Sequence, residues 1–164
     1  MVSKGLIVGA SAGYSRENLE LFVASSLAQT SADLWLLIDE QDHAIHRWLS
    51  VYDRIRVIPT PFKEGARASV VFRFFRILEV LRSCNYSSAV ICDTRDVVFQ
   101  SDPFARMPGG FMAAGERLKI GESSYNLDWV NKFCGPTCFE RLRLKTILCA
   151  GVMGGRVSNL IDVL

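Results

Sequence analysis

The sequence predicts an α/β fold: three layers, α/β/α, around a mostly parallel central sheet. Apolar runs of strand length alternate with longer stretches of helical periodicity. One of the runs, residues 34–38, is continuously apolar, the pattern of a parallel strand buried on both faces. The balance of 49% apolar and 22% charged residues over 164 positions suits one folded domain with a sizeable core rather than a disordered chain. The expected organisation is therefore a single domain over residues 1–164.

Residues 6–10 read as the first strand, broken by Ser11, Ala12 and Gly13. A helix is expected over residues 15–29, where Leu19, Phe22, Val23, Ser26 and Leu27 fall near helical spacing. Ser15 stands at its N-cap, with Asn18 three positions on. Residues 34–38 form the second strand and end in Asp39 and Glu40. A weaker helix follows over 43–52, with His43 and His46 one turn apart and facing solvent. Residues 55–58 form a third strand, stopped by Pro59 and Pro61.

The longest helical signal covers 66–83. Val71, Phe74, Phe75, Leu78 and Leu81 are its expected core stripe, with Arg67, Arg73 and Arg76 largely on the wet side. Residues 89–92 are the fourth strand and run straight into Asp93 and Asp96. Gly151, Gly154 and Gly155 read as shaping a turn before a last helix over 157–164. Strand, helix, strand in succession implies right-handed crossovers between parallel strands.

Several function classes are disfavoured at this level. Nineteen Lys and Arg against seventeen Asp and Glu leave a net charge of +2, so bulk charge draws no nucleic acid. No apolar run approaches the roughly 20 residues of a membrane span, and the N-terminus lacks the small-residue cleavage site of a signal peptide. Five cysteines, an odd number in apolar surroundings, read as buried thiols in a reducing compartment, which favours the cytoplasm although the chain carries no address. Only Cys134 and Cys138 are closely spaced, and zinc would need a second pair of ligands. The glycine fingerprint of dinucleotide binding is absent, as is a P-loop.

The informative segment is the end of the fourth strand. Asp93, Thr94, Arg95 and Asp96 deliver two carboxylates where ligands bind in open α/β sheets. Such a pair needs a compensating cation, either Arg95 or a divalent ion. Mg²⁺ or Mn²⁺ bridging a pyrophosphate suits hard oxygen ligands with open positions.

The run from Asp96 through Val97, Val98, Phe99 and Gln100 to Asp102, Pro103 and Phe104 resembles the region around the DxD motif of GT-A type glycosyltransferases. Residues 147–155, with Gly151, Gly154 and Gly155, are similar to the small-residue segment that shapes the donor and acceptor pocket in that family. The resemblance implies transfer of a sugar from a nucleotide-diphospho-sugar to a glycan, protein or small-molecule acceptor, assisted by Mn²⁺ or Mg²⁺. It implies a metal held by Asp93 and Asp96, with Arg95 near the leaving diphosphate. It implies donor contacts from Ala10, Ser11, Asp39, Arg67, Arg73, Thr94, Gly151 and Gly154, and an acceptor side containing Glu116, Asn126 and Trp129.

The spacing departs from Asp-x-Asp by one residue, so the two carboxylates share a face only if the chain turns at Thr94 and Arg95. The family's C-terminal part is also missing, so the chain reads as a truncated member. The alternatives are a non-catalytic nucleotide-binding module and a domain whose acidic turn is structural. Simpler roles stand beside the functional ones. Asp39 serves equally as a loop cap, Asp102 as the cap of the next turn, and Trp129 as a core residue.

Overall fold

A computed structural model of the protein describes residues 4–62, 66–107 and 109–164, and their side chains except at 66–70. The elements are β1 (Leu6–Ser11), α1 (Arg16–Gln29), β2 (Asp33–Asp39), α2 (His43–Leu49), β3 (Ile55–Thr60), α3 (Ala66–Ser83), β4 (Ser88–Asp93), β5 (Phe111–Lys119), α4 (Ser124–Phe133), α5 (Gly135–Leu142), β6 (Thr146–Arg156) and α6 (Val157–Val163). The strands form one sheet in the order β3-β2-β1-β4-β6-β5. β1 pairs in parallel with β2 and β4, and β2 with β3, whereas β4 and β6 are antiparallel. The fold is thus α/β with a mixed, mostly parallel sheet. The chain divides into two compact units, Met1–Met112 with Gly151–Leu164, and Ala113–Ala150.

In the first unit β1 lies between β2 and β4, and Leu6, Ile7 and Val8 are completely buried. Leu19, Phe22 and Val23 of α1 pack with Leu34, Leu36 and Ile38 of β2 in the same core. Asn18 Oδ1 accepts the Ser15 backbone N–H at 3.2 Å, closing the start of α1 as its spacing predicts.

Several elements differ from the sequence expectation. β3 continues through Pro59 to Thr60, because it is an edge strand and the missing N–H of proline costs no ladder bond there. The glycine segment is not a turn but the last part of β6, with Val90 opposite Gly154 and Ala89 opposite Gly155. His46 does not face solvent: its Nε2 lies 2.9 Å from the Asp39 carbonyl oxygen, while His43 is exposed. Of the five cysteines only Cys92 is buried, and Cys134 is exposed, so the reading of buried thiols fails for the others.

The largest correction concerns α3. Val71 and Phe75, expected in the core, are 39% and 61% exposed, while Ile77, Val80 and Leu81 are buried. Arg73 falls on that buried face, at helical spacing from Ile77, Val80 and Leu81, and its side chain is only 19% exposed. A charged residue on the inward face requires a partner, and β4 supplies it.

The second unit holds α4 and α5. Ser123 Oγ caps α4 by accepting the Asn126 N–H at 3.3 Å, and Tyr125, Trp129 and Phe133 stack along it with ring centroids 6.1 and 5.1 Å apart. Neither helix has a buried residue, and Ile147 is the buried hydrophobic of this unit.

Candidate functional site

Strand order locates the place where a ligand fits. From β1 the chain proceeds to β2 and β3 on one side, then returns to set β4 on the other side of β1. The connections leaving the adjacent ends of β1 and β4 at the carboxyl edge of the sheet run to opposite sides, the switch point at which open α/β sheets take their ligands. The register places Ala10 of β1 opposite Asp93 of β4 at that edge, and Ser11 opposite Ile38 of β2, one residue before Asp39.

The turn after β4 is fastened across this point. Thr94 is buried, and its Oγ1 donates to the Ala10 carbonyl oxygen at 3.1 Å. Its methyl group sits on β1: a Cβ added to Gly9 would lie 2.4 Å from Thr94 Cγ2. Gly9 is therefore required for close approach, a role that the sequence reading missed because it tested the glycine only against a nucleotide fingerprint. Beyond Thr94 the chain bends, and Arg95 and Asp96 are exposed. Gly13, with φ +70°, makes the turn into α1 that a side chain would strain.

Asp93 is the last residue of β4, and Arg73 Nη1 donates to its Oδ1 in an ion pair. The Arg73 guanidinium carbon lies 4.9 Å from the Phe74 ring centroid, and the buried Nε has no hydrogen-bond partner among the described residues. Next door, burial and then the Asp93 charge push the Cys92 thiol far above its ordinary range, opposed by Arg73. Cys92 therefore stays protonated and is a core residue rather than a nucleophile.

The other expected residues are distributed as follows. Asp39 stands at the same carboxyl edge but caps its own turn, Oδ1 accepting the Gln41 N–H at 3.0 Å. Gly151 precedes Val152, the partner of Cys92, which sets it at the edge end of β6. Gly154 lies away from the edge: a Cβ there would meet Met107 Cε at 3.2 Å and Met112 Cε at 3.3 Å, so this glycine makes room for packing. The Arg67 side chain lies outside the described residues. Asp102 caps the turn at Pro103–Arg106 by accepting the Phe104 N–H at 2.9 Å.

The apolar residues after the acidic turn are anchors. Phe99 is buried, 5.9 Å from Phe22 between ring centroids, and Phe104 covers Gly5. Glu116, Asn126 and Trp129 belong to the second unit. An open groove there, about 390 Å³ and bordered by Lys119, Glu122, Phe139 and Arg143, contains none of the expected donor residues.

The edge fits a divalent ion poorly. The Asp93 carboxylate is engaged by a guanidinium, whose charge repels a second cation at the same oxygens. Asp96 is exposed, and among the described residues no three His, Cys, Asp or Glu side chains are grouped to hold a metal. No helix among the described residues is long and apolar enough to cross a membrane. No protein-family model matches this chain, and no curated protein matches it significantly.

Proposed function

We propose that the chain binds a nucleotide-diphospho-sugar at the carboxyl edge of β1, β2 and β4 and transfers the sugar to an acceptor hydroxyl. The observation that carries the reading is the Arg73–Asp93 pair at the switch point between β1 and β4, where Ala10 and Asp93 stand side by side. A nucleobase and ribose lie against Ala10, Ser11 and Asp39, the residues that end β1 and β2 at this edge. The diphosphate lies against Arg73 and Arg95. In the transfer, the acceptor oxygen bonds to the anomeric carbon as the bond from that carbon to the diphosphate oxygen breaks. The acceptor proton is released, and the diphosphate leaves with the bonding pair. Arginine side chains aimed at that developing charge stabilise the transition state.

Calorimetric titration with UDP, GDP and their sugar conjugates tests this reading, followed by an assay for release of the sugar. Saturable binding of one nucleotide and release of its sugar are the expected results. Binding with neither transfer nor hydrolysis leaves a non-catalytic nucleotide-binding module. Failure of every nucleotide to bind a folded protein, with or without Mn²⁺, overturns the proposal.

A further inference from the structure

We infer that the phosphate-neutralising cation at this edge is part of the chain: Arg73, positioned by Asp93, takes the place of a divalent metal ion. The inference rests on the nucleotide-diphosphate reading of the same edge and specifies how that edge takes its ligand. Asp93 is then a positioning residue for Arg73 rather than a metal ligand.

Three features support this. First, Arg73 is fixed where it is by the fold. It shares the buried face of α3 with Ile77, Val80 and Leu81, so withdrawing it to free Asp93 for a metal would leave a half-buried guanidinium without its counter-charge. Second, the guanidinium keeps unused capacity. It has five N–H donors, of which one is directed at Asp93, and 19% of its side chain is exposed. A diphosphate supplies acceptor oxygens of the right charge and geometry for such a fork, whereas a metal ion supplies none.

Third, the sequence of the turn itself carries a cation. The one-residue excess over Asp-x-Asp introduces Arg95, which is exposed next to buried Thr94. Arg73 already neutralises the Asp93 carboxylate. A dication gains little from such a site. A diphosphate gains two arginines, one of them held in place before the ligand arrives.

Calorimetric titration of UDP and GDP in EDTA and again in Mn²⁺ tests the inference, with Arg73→Ala, Arg73→Lys and Asp93→Asn as variants, each checked for folding by circular dichroism. The expected result is binding of one nucleotide that changes less than about twofold between EDTA and Mn²⁺. Arg73→Ala then weakens it about tenfold or more, the value of a lost charge-assisted hydrogen bond. Arg73→Lys, which keeps the charge and is the variant less prone to misfold, weakens it by less but measurably. Asp93→Asn weakens binding severalfold and equally in EDTA and in Mn²⁺, because Arg73 loses the carboxylate that holds it in place.

Binding that requires Mn²⁺ and disappears in Asp93→Asn overturns the inference and leaves the nucleotide-sugar reading in place. Metal-independent binding indifferent to both Arg73 variants also overturns it. If no nucleotide binds the folded protein under either condition, the reading of the edge itself fails, and the inference with it.

Discussion

The two compact units solve the problem of apolar surface differently. In the first, strands and helices share a continuous core: Phe22, Leu34, Leu36 and Ile7 are at most 1% exposed. In the second, the helices α4 and α5 bury nothing completely, and Tyr125, Phe133 and Leu144 are 55%, 63% and 64% exposed. The difference shows where stability resides. A parallel strand covered on both faces removes nearly every apolar atom from water, whereas a pair of short helices leaves one side of each exposed. The candidate donor edge is built on the first kind of structure, so its backbone is held by the core.

That contrast is testable, and the largest effect should come from truncating one aromatic in each unit. Phe22→Ala removes a ring packed against Phe99 and should cost about 4 kcal/mol in urea unfolding, while Phe133→Ala should change stability by no more than about 0.5 kcal/mol. Equal costs would break the comparison.

A smaller effect concerns the fastening of the edge. Gly9→Ala forces a methyl group against Thr94 Cγ2 and, at 3.2 Å, Leu36 Cδ2, and should cost about 2 kcal/mol. Thr94→Ser removes the nearer obstacle and keeps the hydroxyl. The double variant should therefore be more stable than the sum of the two single changes, and strict additivity in a double-mutant cycle would show that Thr94 does not press on β1.

The smallest effect lies at the opposite end of the same strands. Burial, together with the hydrogen bond that the Tyr86 hydroxyl donates to Asp33 Oδ2 at 2.5 Å, pushes Tyr86 up to about 12. The folded state therefore holds this proton more tightly than the unfolded chain, where tyrosine titrates near about 10. The stabilisation is complete below the unfolded value and fades as the pH rises from about 10 towards 12. Tyr86→Phe should flatten the alkaline fall of the urea midpoint over that interval. An unchanged slope would assign the alkaline loss to other groups.

Much of the first unit was legible in the sequence. The strands at β1, β2 and β4 announce themselves because burial on both faces demands uninterrupted apolar runs, and α1 because Ser15 and Asn18 mark its start. β6 was not legible. Its glycines suppress the apolar signal of a strand, and the reason for Gly154 is the proximity of Met107 and Met112, which come from elsewhere in the chain. The α3 stripe was misread for a related reason. Periodicity placed Val71, Phe74, Phe75, Leu78 and Leu81 in one stripe; Leu81 is buried as expected, but it shares the inward face with Ile77 and Val80, while Val71 and Phe75 are exposed.

The candidate site divides along the same line. That two carboxylates and an arginine follow the fourth strand is a property of the sequence alone, and so is their position at the end of a buried strand. The pairing of Asp93 with Arg73, twenty residues earlier on a different element, was decided by tertiary structure. So was the seating of Thr94 on Gly9, which ties the turn after β4 to β1. Local sequence determines periodicity and therefore elements. Which face of a helix turns inward, and which charge finds its counter-charge there, is settled only when the elements pack and the buried groups must be satisfied together.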